Sequence, residues 1–152
     1  MPSRLRKLAR LDRRALLDLI AAQGALIAAE WRMRTHPIGS LTMRDATGTT
    51  PATGIAGAPQ HTARAREIAT AVRRAADHGL FRPFCLVRAM ALRTLLERAD
   101  IHGSEIRIGV RRRDGVFAAH AWVRWNNEIL GDLPAHVATF TEVDDIRVLG
   151  RS

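Results

Sequence analysis

The stretch "RPFCLVRAMALRTLLERA", residues 82–99, decides how the chain is read. Pro83 forbids a helix running through it from the N-terminal side, and the apolar pattern beyond it predicts a helix over about 84–99. Leu86, Val87, Ala89, Met90, Ala91, Leu92, Leu95 and Leu96 occupy most of its circumference. Polar residues enter only at Arg88, Arg93, Thr94, Glu97 and Arg98. A helix apolar nearly all round is buried, so this one is the expected centre of the fold. Its first turn carries the single cysteine, Cys85. Taken alone, such a cysteine reads as a small buried hydrophobe. Its place at a helix start gives it a second reading, because free amide N–H groups and the partial positive charge there stabilise a thiolate. The same N–H groups can form part of an oxyanion hole.

Before this helix, three segments are distinguishable. Residues 3–34 have helical periodicity, with Leu16, Leu19, Ile20, Gln23, Leu26, Ile27 and Trp31 recurring at three- and four-residue spacing as the expected core face. Its basic opening, "RLRKLARLDRR", reads as a solvated or partner-binding end. Residues 36–60 hold three prolines and five threonines, a composition expected of a flexible linker or long loop. A second helix is expected at about 62–78, with Ala65, Ile68, Ala69, Val72, Ala75 and Ala76 as a narrow stripe that permits close helix approach. Gly79 suits its C-terminal end.

After residue 100 the period changes from helical to alternating. "EIRIGVR" places Ile106, Ile108 and Val110 on one face, and "VFAAHAWVRW" (116–125) and "EILGD" (128–132) read as two further strands. Asp114-Gly115 between the first two is a strong hairpin signal. The tail after 132 reads as a short helix or loop, with a last strand at 146–149. Helices followed by an antiparallel meander define an α+β domain. The expected organisation is a helical segment at 1–35, a linker at 36–60 and the core at 61–152, with 1–35 part of the same domain.

Composition narrows the function classes. The chain has 152 residues, 47% of them apolar, and a net charge of +9, enough for one domain with a real core. Of its 24 basic residues only Lys7 is lysine. The arginines are spread over every segment, and no aromatic-plus-basic pattern accompanies them, so nucleic acid is not the expected partner. One cysteine excludes an intrachain disulfide and favours the cytoplasm. The longest apolar run, 15–29, is interrupted by Asp18 and Gln23 and is short for a membrane span.

Three residues line up in chain order as a chemical set: Cys85 at the helix start, His120 within a strand and Asp132 at the end of the next. A histidine beside the thiol can take its proton and later protonate a leaving amine. A carboxylate on the far ring nitrogen fixes the tautomer. The strand register puts a condition on this set. A two-residue turn at Asn126-Asn127 would set Leu133 beside His120 and turn Asp132 to the wrong face. A three-residue loop, Trp125–Asn127, or an equivalent bulge, would pair His120 with Asp132 and Arg124 with Glu128. On the other side, the Asp-Gly turn sets Gly109 opposite His120, where a missing side chain would leave room for the imidazole and a substrate backbone. Glu128 and Asp144 are the alternatives for the third role.

The words Cys85-Leu86-Val87-Arg88-Ala89, Ile108-Gly109-Val110, His120-Ala121-Trp122-Val123 and the following Asp132 resemble the transglutaminase-like cysteine peptidases of lasso peptide biosynthesis, the leader peptidases, over about residues 64–140. The resemblance implies a papain-like core and a Cys85–His120–Asp132 triad that hydrolyses the leader–core bond of a ribosomally made precursor through a thioester. Phe84, Gly109 and Trp122 would line the substrate or oxyanion site. No cofactor and no metal are implied. The implied partners are the leader peptide, a separate small leader-recognition protein and a macrolactam synthetase acting on the released core, because this chain reads as the stand-alone peptidase of a split system. Another transglutaminase-like acyltransferase or amidase, or a non-catalytic peptide- or nucleic-acid-binding module, are the competing readings. Charge alone further points the basic N-terminal helix or the arginines of 107–113 (Arg107, Arg111, Arg112 and Arg113) toward the recognition partner or an acidic leader.

Overall fold

The computed structural model describes residues 12–35 and 59–143. The order is α1 (Arg13–Thr35), α2 (Pro59–His78), α3 (Cys85–Arg98), β1 (Glu105–Arg113), β2 (Val116–Trp125), β3 (Glu128–Leu130), α4 (Pro134–Val137) and β4 (Thr141–Glu142). This is the expected α+β arrangement. Most of the basic opening and of the linker, the expected strand at 146–149, and Asp144 lie outside the described residues.

α3 is the hub. Val87, Ala89, Met90, Ala91, Leu92, Leu95 and Leu96 are buried, and they contact α1 and α2 on one side and the sheet on the other. This is why its sequence has no continuous polar stripe. Burying one such leucine contributes about 2 kcal/mol. α2 buries the expected stripe, with Ala71 added. It ends where the Gly79 N–H donates to the Ala75 carbonyl at 2.8 Å.

α1 turns a different face inward from the one its large apolar residues announce. Ala22, Ala25, Leu26 and Ala29 are buried, with Leu19 packed beside them. Leu16, Ile20, Ile27 and Trp31 are exposed, as is Leu17. The cause is the alanine stripe of α2. Small side chains on both partners let the helix axes approach closely, and that contact selects the alanine face of α1 over the bulky one.

The sheet is antiparallel in the order β3-β2-β1-β4. Arg113 pairs with Val116 across Asp114 and Gly115, both at positive φ. The hairpin therefore has the expected two-residue turn, and Gly109 falls opposite His120. The β2–β3 connection departs from expectation. Trp125 pairs with Glu128 and Val123 with Leu130, so the turn is the two residues Asn126-Asn127, with φ of 49° and 62°. Both asparagines accept left-handed geometry, which such a turn requires at both central positions. Trp125 is thus a strand residue, buried against the helices with its indole N–H donated to the His102 carbonyl at 2.8 Å. Glu128 does not pair with Arg124; Arg66 of α2 holds it through two bonds of 2.8 and 3.0 Å.

Candidate functional site

Strand alternation puts Val123 and Trp125 against the helices, and His120, Trp122 and Arg124 on the other face of β2. On that face His120 sits among rings. Trp122 stacks at 6.2 Å, Phe140 lies at 5.1 Å, and His136 meets it edge-on at 4.9 Å between centroids. These rings leave the His120 side chain 16% exposed. Its Nε2 is 2.5 Å from Asp132 Oδ2.

With a two-residue turn, that contact needs an explanation. Continuing the β2–β3 register would set Leu133 beside His120. The ladder stops at Leu130, and Gly131 adopts φ +77°. This left-handed residue turns the chain so that Asp132 arrives at His120 one position early. Gly131 thus does the work of a bulge. A Cβ there would also lie 3.0 Å from Leu92 Cδ2 on α3, so both backbone angle and space select glycine. The carboxylate is held at its other end as well, because Asp132 Oδ1 accepts the Leu133 N–H at 2.7 Å. Each oxygen has one duty, and His120 Nδ1 remains free of the carboxylate.

Cys85 is the first residue of α3 and is partly buried. Phe84 caps the helix in extended conformation with no side-chain bond to it. The first helical N–H groups therefore have no acceptor within their own helix. Cys85, His120 and Asp132 line one small cleft of about 30 Å³, together with Arg88, Leu92 and Trp122. A larger cavity of about 540 Å³ lies between α1 and α2 and contains no histidine or cysteine.

The remaining sequence candidates are placed as follows. Trp122 is buried and lines the cleft. Phe84 is 77% exposed, next to Cys85 in the chain. Contrary to expectation, Gly109 does not leave its space to the imidazole. A Cβ there would collide with the Trp122 ring and Phe140 Cβ, so the missing side chain makes room for those two groups. Glu128, engaged by Arg66, does not line this cleft. Sequence reasoning missed His136 and Phe140. Both come from the tail, where the only signal was Pro134, a good first residue for a short helix. Donor atoms of His120, Asp132 and His136 lie within 4.8 Å of one another, a set able to hold a metal ion.

An α+β core with a cysteine opening its central helix, and a strand histidine bonded to a carboxylate just beyond the edge strand, has the layout of a thiol-dependent acyl-transfer fold. The chain belongs to the transglutaminase-like superfamily, whose family profile matches residues 25–144. Members of that superfamily are typically cysteine peptidases or acyltransferases. No curated protein and no solved structure matches the chain. No helix among the described residues is long and apolar enough to cross a membrane.

Proposed function

We propose that this protein is a cysteine peptidase that removes the leader from a ribosomally synthesised lasso precursor peptide. The observation that carries the reading is the His120 Nε2–Asp132 contact in a cleft shared with Cys85. With Nε2 committed to the carboxylate, Nδ1 is the nitrogen that accepts the thiol proton. The Cys85 thiolate attacks the scissile carbonyl, and first-turn N–H groups of α3 receive the developing oxyanion. The protonated His120 gives its proton to the leaving amine, which frees the core peptide. The leader stays as a thioester on Cys85 until water, deprotonated by His120, releases it. Asp132 holds the imidazole in the tautomer this cycle requires.

A cytoplasmic location and three partners belong to the same proposal: the leader peptide, a separate leader-recognition protein, and a macrolactam synthetase that uses the released core. The exposed row Leu17, Ile20, Ile27 and Trp31 on α1 is a surface suited to a protein partner. Incubation with precursor and recognition protein, followed by mass spectrometry, tests the reading. Cys85→Ala and His120→Ala are expected to abolish cleavage, and full activity in Cys85→Ala would refute it. Amine-adduct products in the presence of added amines would instead identify an acyltransferase.

A further inference from the structure

We propose that His120, Asp132 and His136 form a binding site for a single dication of the zinc class, and that its occupancy blocks the thiol chemistry of Cys85. The second half rests on the peptidase reading; the first does not. Two imidazoles and one carboxylate are a common zinc donor set. Their donor atoms lie within 4.8 Å of one another, and His120 Nε2 and Asp132 Oδ2 are already 2.5 Å apart. Zinc with bonds of about 2.0–2.1 Å holds tetrahedral ligand atoms roughly 3.3 Å apart. The His120–Asp132 pair must therefore open by less than an ångström (about 0.8 Å) on that geometry, and His136 must close in. His136 is free to do so, because it is exposed on the four-residue helix α4. The Leu133 N–H on Asp132 Oδ1 fixes the carboxylate from behind and leaves Oδ2 for the metal, the kind of outer support that metal carboxylates use. Three protein ligands leave a fourth position open for water.

The consequence for catalysis follows from the ring nitrogens. In the tautomer that the proposed cleavage cycle requires, Nε2 carries the proton and donates it to Oδ2. A metal needs the Nε2 lone pair, so that proton leaves Nε2 and the neutral ring carries its proton on Nδ1 instead. Nδ1 then cannot accept the thiol proton, and Asp132 no longer orients the ring. His136, which has no part in the proposed cleavage cycle, is what separates this site from a histidine–carboxylate pair alone.

The test uses the full chain without an affinity tag, stripped of metal, with Zn2+ alone titrated by calorimetry and Co2+ as a spectroscopic probe. One equivalent is expected to bind both the native protein and Cys85→Ser. His136→Gln, an exposed substitution, is expected to weaken binding by at least about tenfold. Zn2+ is also expected to slow alkylation of Cys85 by iodoacetamide in the native protein, and not in His136→Gln at the same concentration. Absence of binding, loss of binding in Cys85→Ser, or undiminished binding in His136→Gln would each overturn the proposal. The two readings fail separately. Metal-free protein that cleaves precursor without binding Zn2+ refutes only the metal site, and protein that binds Zn2+ through His136 without ever cleaving refutes only the peptidase.

Discussion

Replacing Gly131 with alanine tests whether one backbone angle brings Asp132 to His120. Gly131 has φ +77°, and an L-residue held in the left-handed region costs about 1–2 kcal/mol. The new Cβ would also meet Leu92 Cδ2 at 3.0 Å. Leu92 is 2% exposed and cannot withdraw without disturbing α3, which adds about 1–2 kcal/mol of overpacking. The expected loss is therefore about 2–4 kcal/mol. At about 2–4 °C per kcal/mol for a chain of this size, the melting temperature falls by roughly 4–16 °C. Gly131→Asn separates the two contributions, because asparagine tolerates the left-handed region but carries the same Cβ; its cost is expected to fall below that of alanine. Urea unfolding gives the free energies, and the nitrogen shifts of the His120 ring by NMR report whether Nε2 still faces the carboxylate. A loss under about 0.5 kcal/mol in Gly131→Ala, with an unchanged His120 ring, would refute the reasoning.

Two further outcomes follow from the packing. Arg64 holds Asp18 through bonds of 2.5 and 2.6 Å, and these hydrogen bonds lower the Asp18 pKa below the usual carboxylate range. A depressed carboxylate contributes stability above its unfolded pKa of about 3.9 that is lost as pH falls through the folded value. Asp18→Asn is expected to remove about 1–3 kcal/mol at neutral pH and to flatten the acid limb of a stability–pH curve, a result read by urea unfolding at a series of pH values. Leu96 is fully buried where α3 packs, so Leu96→Ala is expected to cost about 2–5 kcal/mol by the same assay.

The parts of the fold legible in the sequence are those where one physical signal dominates. The all-round apolar pattern of α3, the alanine stripe of α2 and the Asp114-Gly115 turn each left a single geometry open. The inward face of α1 was not legible, because hydrophobicity favours burying Ile20, Ile27 and Trp31 while close helix approach favours Ala22, Ala25 and Ala29. The second requirement depends on partners far along the chain. α4 and β4 are too short to carry a period, and with them His136 and Phe140 escaped notice. At the site, the sequence named the three residues that share the cleft and the condition for His120 to meet Asp132. It favoured a three-residue loop, whereas the Asn126-Asn127 turn kept strand register and Gly131 supplied the shift. A single glycine's dihedral does not appear in a hydrophobic pattern.

The outward row on α1 has a consequence for how this protein behaves as a colloid. Leu17, Ile20, Ile27 and Trp31 present an adhesive strip, whose self-association the net charge of +9 opposes. The repulsion reaches about 8 Å at physiological ionic strength and only about 3 Å at 1 M salt, whereas apolar attraction does not weaken with salt and strengthens with sulfate or phosphate. High salt, the usual remedy for a sticky basic protein, removes the protection here and leaves the strip.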